Sequence, residues 1–155
     1  MTEATCLFLL KDDQVLLAMK KRGFGKGKWN GVGGKLDDGE TAEQAAIRET
    51  EEEILVTPMA TKKVAELDFD EFHKGKPYQI KVHVFTCSQW QGTPTETEEM
   101  APKWFALDKL PLADMWPDDE FWLEKVLHGA IIRGHFTLDA NDHIIDHHIE
   151  EVTAL

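Results

Sequence analysis

Gly34-Lys-Leu-Asp-Asp-Gly-Glu40-Thr-Ala-Glu-Gln-Ala-Ala-Ile-Arg48-Glu49-Thr-Glu-Glu52-Glu53-Ile-Leu-Val56 is the stretch on which the reading of this chain turns. Thr41 with Gln44 three residues later forms a capping box, and Ala42, Ala45 and Ala46 are strong helix formers. A helix is therefore predicted from Thr41 to Ile54, with Pro58 barring its continuation. On that helix Glu49, Glu52 and Glu53 stand at i, i+3 and i+4, so their carboxylates share one face. Each like-charged neighbour costs roughly 0.2–0.5 kcal/mol in water. A row of hard oxygen ligands suits magnesium, which leaves positions for water and phosphate oxygens. Taken alone, the same row reads equally well as a solvated acidic face.

Upstream, Thr5–Leu10 and Gln14–Met19 read as strands around the turn Lys11-Asp12-Asp13. The glycine-rich run from Arg22 to Lys28 is a loop, without the Gly-Lys-Ser/Thr ending of a P-loop. Downstream, Lys63–Phe69, Gln79–Cys87 and Pro102–Ala106 read as strands. A second helix starts at Pro117-Asp118 and runs to about Gly129. The tail, His135–Leu138 and His143–Val152, reads as a hairpin around Asp139-Ala-Asn-Asp142. Interleaved strands and helices predict an α/β fold, a mixed sheet sandwiched between helices.

The chain has 155 residues and a net charge of −12, without repeats or low-complexity tracts. That balance argues against binding a nucleic-acid polymer. The charge is uneven, however: Lys20, Lys21, Arg22, Lys26, Lys28 and Lys35 cluster just before the acidic run Glu40–Glu53. Such neighbours suit a small polyanion held through metal ions. Cys6 and Cys87 give neither a disulfide framework nor zinc spacing, and read as buried thiols. The apolar run Cys6–Leu10 is too short for a leader core or a membrane span. The expectation is a single domain over 1–155, soluble, cytoplasmic and monomeric, without a membrane partner. His143, His147 and His148 read as surface residues, because strand alternation puts His147 and His148 on opposite faces.

Gly34, five residues, Glu40, seven residues, Arg48-Glu49, then Glu52-Glu53 resembles the signature of the Nudix hydrolases, here spanning 34–56. The resemblance implies the Nudix fold, a loop–helix–loop whose Glu49, Glu52 and Glu53 hold magnesium, with manganese as the alternative ion. It implies that Gly33 offers a backbone carbonyl to one metal, that Arg48 orients the carboxylates, and that Glu40 is structural. Two positions depart from the pattern. Thr50 stands where an aliphatic residue is usual, and its inward hydroxyl needs a partner such as the carbonyl one turn earlier. Leu55 stands where a helix-ending glycine is usual, and leucine disfavours the left-handed turn.

The likeness extends to the branch of that family acting on oxidised purine nucleoside triphosphates. Met19–Gly31, Val82–Phe85, Gln91–Met100 and Asp114–Asp119 carry it. It implies that Asn30, Asp118 and Asp119 bond the base, and that Phe24, Met100, Trp116 and Trp122 wall the pocket. Lys20 and Thr5 belong to the same implied pocket, and Glu99 is an additional carboxylate near the metals. A flat base needs an aromatic face and a few aimed polar groups, which this set supplies. Read singly, Asn30-Gly31 is a turn, Asp118 a helix cap and the tryptophans core. The likeness weakens from Leu67 to His73, where the chain carries extra residues, so base preference rests on less than the reaction does. The alternatives are a Nudix hydrolase for an ADP-sugar, a diadenosine polyphosphate or a nucleotide cap, and a nucleotide sensor without catalysis. Asn30 with Asp118-Asp119 weighs against the former, and intact Glu49, Glu52 and Glu53 against the latter.

Overall fold

The computed structural model describes residues 1–155. The strands are β1 (Thr2–Lys11), β2 (Gln14–Lys20), β3 (Trp29–Asn30), β4 (Thr57–His73), β5 (Lys76–Gln91), β6 (Met100–Ala106), β7 (Ile132–Leu138) and β8 (Ile144–Glu151). Helix α1 (Ala42–Ile54) comes after β3, and α2 (Asp119–Leu127) after β6 and a single 3-10 turn at Leu112–Asp114. The sheet runs β3-β2-β1-β5-β4-β7-β8, with β6 paired along β2. Two pairings are parallel, β1 with β5 and β4 with β7, and the others are antiparallel. It is the expected mixed sheet.

Alternation along the strands builds a core on each face. Phe8, Val15 and Leu17 pack with Trp122, Leu123 and Val126 of α2. Leu7, Leu9, Leu16 and Ala18 pack on the other face with Ala46 and Ile54 of α1. Buried on both sides, the sheet separates two helices, as the sequence predicts.

The capping box forms: Gln44 N–H donates to Thr41 Oγ1 and Thr41 N–H to Gln44 Oε1. Buried Thr50 donates its hydroxyl to the Ala46 carbonyl at 2.7 Å. Leu55 ends α1 at φ 61°, in the left-handed region, with its side chain 56% exposed.

The strands β4 and β5 run well beyond their predicted limits and join through Lys74-Gly75, both at positive φ. That is the two-residue turn matched to strand twist. Charges at Glu66, Asp68 and Asp70 disguise the strand, because they occupy the alternate positions while Leu67 and Phe69 meet the core. β7 likewise begins at Ile132, not His135, and α2 ends at Leu127.

Strands β1 and β2 pair only at Leu10↔Val15 and Lys11↔Gln14, then diverge. The segment 31–36 fills the gap: Leu7 N–H donates to Val32 O, Thr5 N–H to Gly34 O and Leu36 N–H to Glu3 O. This wedge brings the loop before α1 against β1, where the site lies.

Candidate active site

A cavity of about 300 Å³ opens beside the wedge. Ten residues singled out from the sequence line it: Thr5, Lys20, Phe24, Asn30, Gly33, Met100, Trp116, Asp118, Asp119 and Trp122. They come from β1, β2, β3, β6, the loops and α2, so only the fold gathers them. Phe24 stacks on Trp116 with centroids 5.2 Å apart and stands open to solvent, like a flap over the mouth. Asn30 Oδ1 accepts the Gly31 N–H at 2.8 Å and the Cys6 thiol at 3.5 Å, leaving its amide nitrogen for the cavity.

Asp118 precedes α2 without capping it; its Oδ2 instead accepts Trp122 Nε1–H at 2.8 Å. Asp119 Oδ2 accepts the Trp116 N–H at 3.1 Å. The hydrogen bonds within the chain thus go to one oxygen of each carboxylate. Both side chains are buried, and burial pushes Asp118 up to about 6. Asp119 rises well above the carboxylate range through burial and then the charge of Asp118. Cys6 is a buried thiol held protonated by burial, then by Asp119.

The acidic helix lies on the wedge's other side. Arg48 reaches Glu40 twice, at 2.7 and 2.9 Å, Glu49 at 2.9 Å and Glu52 at 3.4 Å. Hydrogen bonds from Arg48 hold the Glu40 carboxyl down at about 2, which fits a structural role for Glu40. Glu53 is different. It is buried, its Oε2 has no hydrogen-bond partner, and desolvation, then the charge of Glu49, lifts its carboxyl to about 8. A buried carboxylate oxygen without a partner is costly unless protonated or met by a cation.

Two glycines admit this packing. A Cβ at Gly33 would lie 1.9 Å from the Thr5 carbonyl oxygen, and one at Gly34 would lie 2.7 Å from the Glu49 carboxyl. Glu99 belongs to a loop laced to the end of α1, where Thr97 Oγ1–H donates to Glu53 O and Thr95 N–H to Ile54 O. Its own carboxylate lies 3.6 Å from Arg22.

Glu49 lies within hydrogen-bond reach of Glu53, and Arg48 Nη1 bridges Glu49 and Glu52, yet the three helix carboxylates do not close on one point. Glu52 stands in solvent beside Arg48, and no three His, Cys, Asp or Glu side chains form a ready-made cage. The residues present nonetheless fit a hard divalent cation, since the Glu53 oxygen lacks a partner and the donor set is all oxygen.

Sequence reasoning missed several lining residues, among them Lys28, Phe69, Glu71, Ile80, Leu138 and Asp142. Lys28 lies 5.1 Å over the Trp116 ring and lowers Asp119. The signal for Phe69, Glu71 and Ile80 was the strand alternation, obscured by the charges of the β4–β5 hairpin. His143, His147 and His148 are exposed, although the His147 ring rests 4.2 Å from Phe121.

The NUDIX domain model matches residues 1–126. The oxidized purine nucleoside triphosphate hydrolase of Mus musculus is 44% identical, over 96% of this chain and 94% of its own length. That of Danio rerio is 41% identical, over 97% and 96%. A solved MutT protein from Bacillus halodurans, 22% identical, superposes with a TM-score of 0.83 over 97% of this chain and 98% of its own, a likeness of fold. No helix here is long and apolar enough to cross a membrane. With its acidic helix beside a base-sized cavity and the family model covering residues 1–126, this chain belongs to the Nudix hydrolases.

Proposed function

We propose that the chain hydrolyses oxidised purine nucleoside triphosphates, such as 8-oxo-dGTP or 2-hydroxy-dATP, to the monophosphate and pyrophosphate, and so cleans the nucleotide pool. The observation that carries this is the buried pair Asp118-Asp119, lining one cavity with Asn30 and Trp116. Carboxyls whose pKa values are raised toward neutrality can each accept or donate a hydrogen bond. The pair can therefore match an oxidised guanine or an oxidised adenine by placing its proton differently. The relatives named for this activity support the reading.

Glu49, Glu52, Glu53, Glu99 and the Gly33 carbonyl would hold magnesium or manganese. When bound, the cation supplies charge neutralisation for the phosphates and lowers the pKa of attacking water. Arg48 holds Glu49 and Glu52 in place for that task. Glu53, whose carboxyl is raised to about 8 by burial and by Glu49, would have to be ionised to hold that cation. Trp116 and Phe24 cover the base, Trp122 and Met100 wall it, and Thr5 fixes the loop by hydrogen bonds to Gly34 O. Lys20 offers positive charge on the Glu53 side of the cavity, where the phosphates would pass. The protein would act as a monomer in the cytoplasm.

The test is a comparison of kcat/KM for 8-oxo-dGTP and dGTP with magnesium, together with Asp119→Asn. The wild-type protein should prefer 8-oxo-dGTP. The variant should lose roughly 1–3 kcal/mol of transition-state binding toward it, while dGTP hydrolysis changes far less. Equal slowing of every nucleotide would assign the pair to catalysis or folding instead.

A further inference from the structure

The cavity continues past the residues given roles above, into the stretch where the family likeness weakens. Leu67, Phe69 and Glu71 alternate on one face of β4 and line it, opposite Ile80 and Val82 of β5. Leu138, at the end of β7, closes this part. The pattern asks for an apolar side chain at 71, and the chain carries glutamate. A carboxylate partly buried among Phe69, Ile80 and Leu138 is not a solvated surface charge. Asp142, held at φ 61° in the β7–β8 turn, lines the same cavity.

No cation answers them. Lys20 and Lys28, the lysines of the lining, act on Glu53 and Asp119, whereas Glu71 feels burial first, then Asp142 and Asp118. Asp118 is itself more than nine-tenths buried and gives only one oxygen to Trp122. The half-buried Glu71 carboxylate, the exposed Asp142 at the rim and the second oxygen of Asp118 thus border one cavity with no ion-pair partner in the chain. The group that would satisfy them is an N–H donor carrying positive charge, on a stem able to lie against apolar walls.

We propose that Glu71, with Asp142, is a specificity-determining carboxylate, and that the cavity favours purine nucleoside triphosphates whose base bears a short aliphatic amine on the edge facing Asp118. The assignment rests on the nucleotide reading above. The stem lies between Phe69, Ile80 and Leu138, and the ammonium meets Glu71. A neutral or anionic substituent of the same size leaves both carboxylates unpaired and is disfavoured.

The probes are N6-(2-aminoethyl)-dATP and N6-propyl-dATP, which differ by an ammonium in place of a methyl. Their Kd values are read from quenching of the cavity tryptophans in chelator, and their kcat/KM values with magnesium. Wild-type protein should favour the amine by about tenfold or more, as a charge-assisted bond implies. Glu71→Leu should bring the ratio to one or below, and Glu71→Gln should fall between. Each ratio is internal to a variant, so partial loss of fold cancels. Equal affinities in the wild-type protein overturn the assignment, as does an amine preference that survives Glu71→Leu combined with Asp142→Asn. Hydrolysis of 8-oxo-dGTP is followed in parallel. Its absence counts against the proposed activity, whereas its presence without an amine preference counts against Glu71 alone.

Discussion

Gly33 and Gly34 are adjacent, yet the space each leaves open serves a different neighbour. At Gly33 the atom a side chain would meet is backbone, the Thr5 carbonyl oxygen. Gly33→Ala therefore has to move β1 or the wedge, and should cost about 1–3 kcal/mol in urea unfolding, as overpacking does. At Gly34 the obstacle is the far end of Glu49, which can swing away. Gly34→Ala should then cost under about 1 kcal/mol of stability, yet lower turnover at least about tenfold by unseating a carboxylate. A Gly34→Ala protein that is as active as wild type would show that Glu49 works from another position. Glu53→Gln belongs to the same scale. It keeps the shape, removes the ionisable oxygen that would meet the metal, and should drop turnover by a factor on the order of a hundred with the fold intact. Near-normal turnover at saturating magnesium would remove Glu53 from the metal site.

At the scale of elements, α1 was legible from end to end because its signals are local. Thr41 and Gln44 mark its start, and Thr50 finds the carbonyl of Ala46 one turn back. Its end was legible only as a departure from the family pattern, and the structure gives the reason. Leu55 takes the left-handed conformation a glycine would take, exposed, with its N–H on Glu51 O. Leu55→Gly should accordingly stabilise the protein by up to about 1 kcal/mol, seen as a higher Tm or urea midpoint. A lower midpoint would mean the leucine side chain contributes packing that its exposure hides. The hairpin β4–β5 was the reverse case. Its existence depends on pairing across the sheet, and its outward charges suppress the apolar signal that sequence reading uses. β3, two residues long, is set by pairing with Ala18 and Met19 and has no local signal at all.

At the scale of the whole molecule, the sequence pointed to a base pocket but not to its extent, because Glu71, Asp142 and Lys28 reach it only through sheet order and turn placement. The same placement buries acids and so ties stability to pH. Asp118 rises from 3.8 to about 6, Asp119 rises as well, and Glu53 rises from 4.5 to about 8. A carboxyl raised in the folded state favours the protonated native form. Its contribution is whole below about pH 4, where the unfolded chain is protonated too, and is lost as pH climbs through the folded value. The half-buried, hydrogen-bonded Glu40 behaves oppositely, with a folded value of about 2. Its contribution is present above the ordinary carboxylate range and is lost only on acidification toward 2. Metal-free protein should therefore be most stable near about pH 4, with Tm falling steadily toward about pH 8. Asp118→Asn with Asp119→Asn should flatten the slope from about 4 to 6 and above, and Glu53→Gln should flatten it between about 4.5 and 8. Magnesium added at the alkaline end should restore Tm in the wild-type protein, by taking the place of the lost proton, and do so far less in Glu53→Gln. A Tm that holds level or rises across this range in chelator would mean that water reaches these carboxylates, and the proton-sharing pair would lose its physical basis.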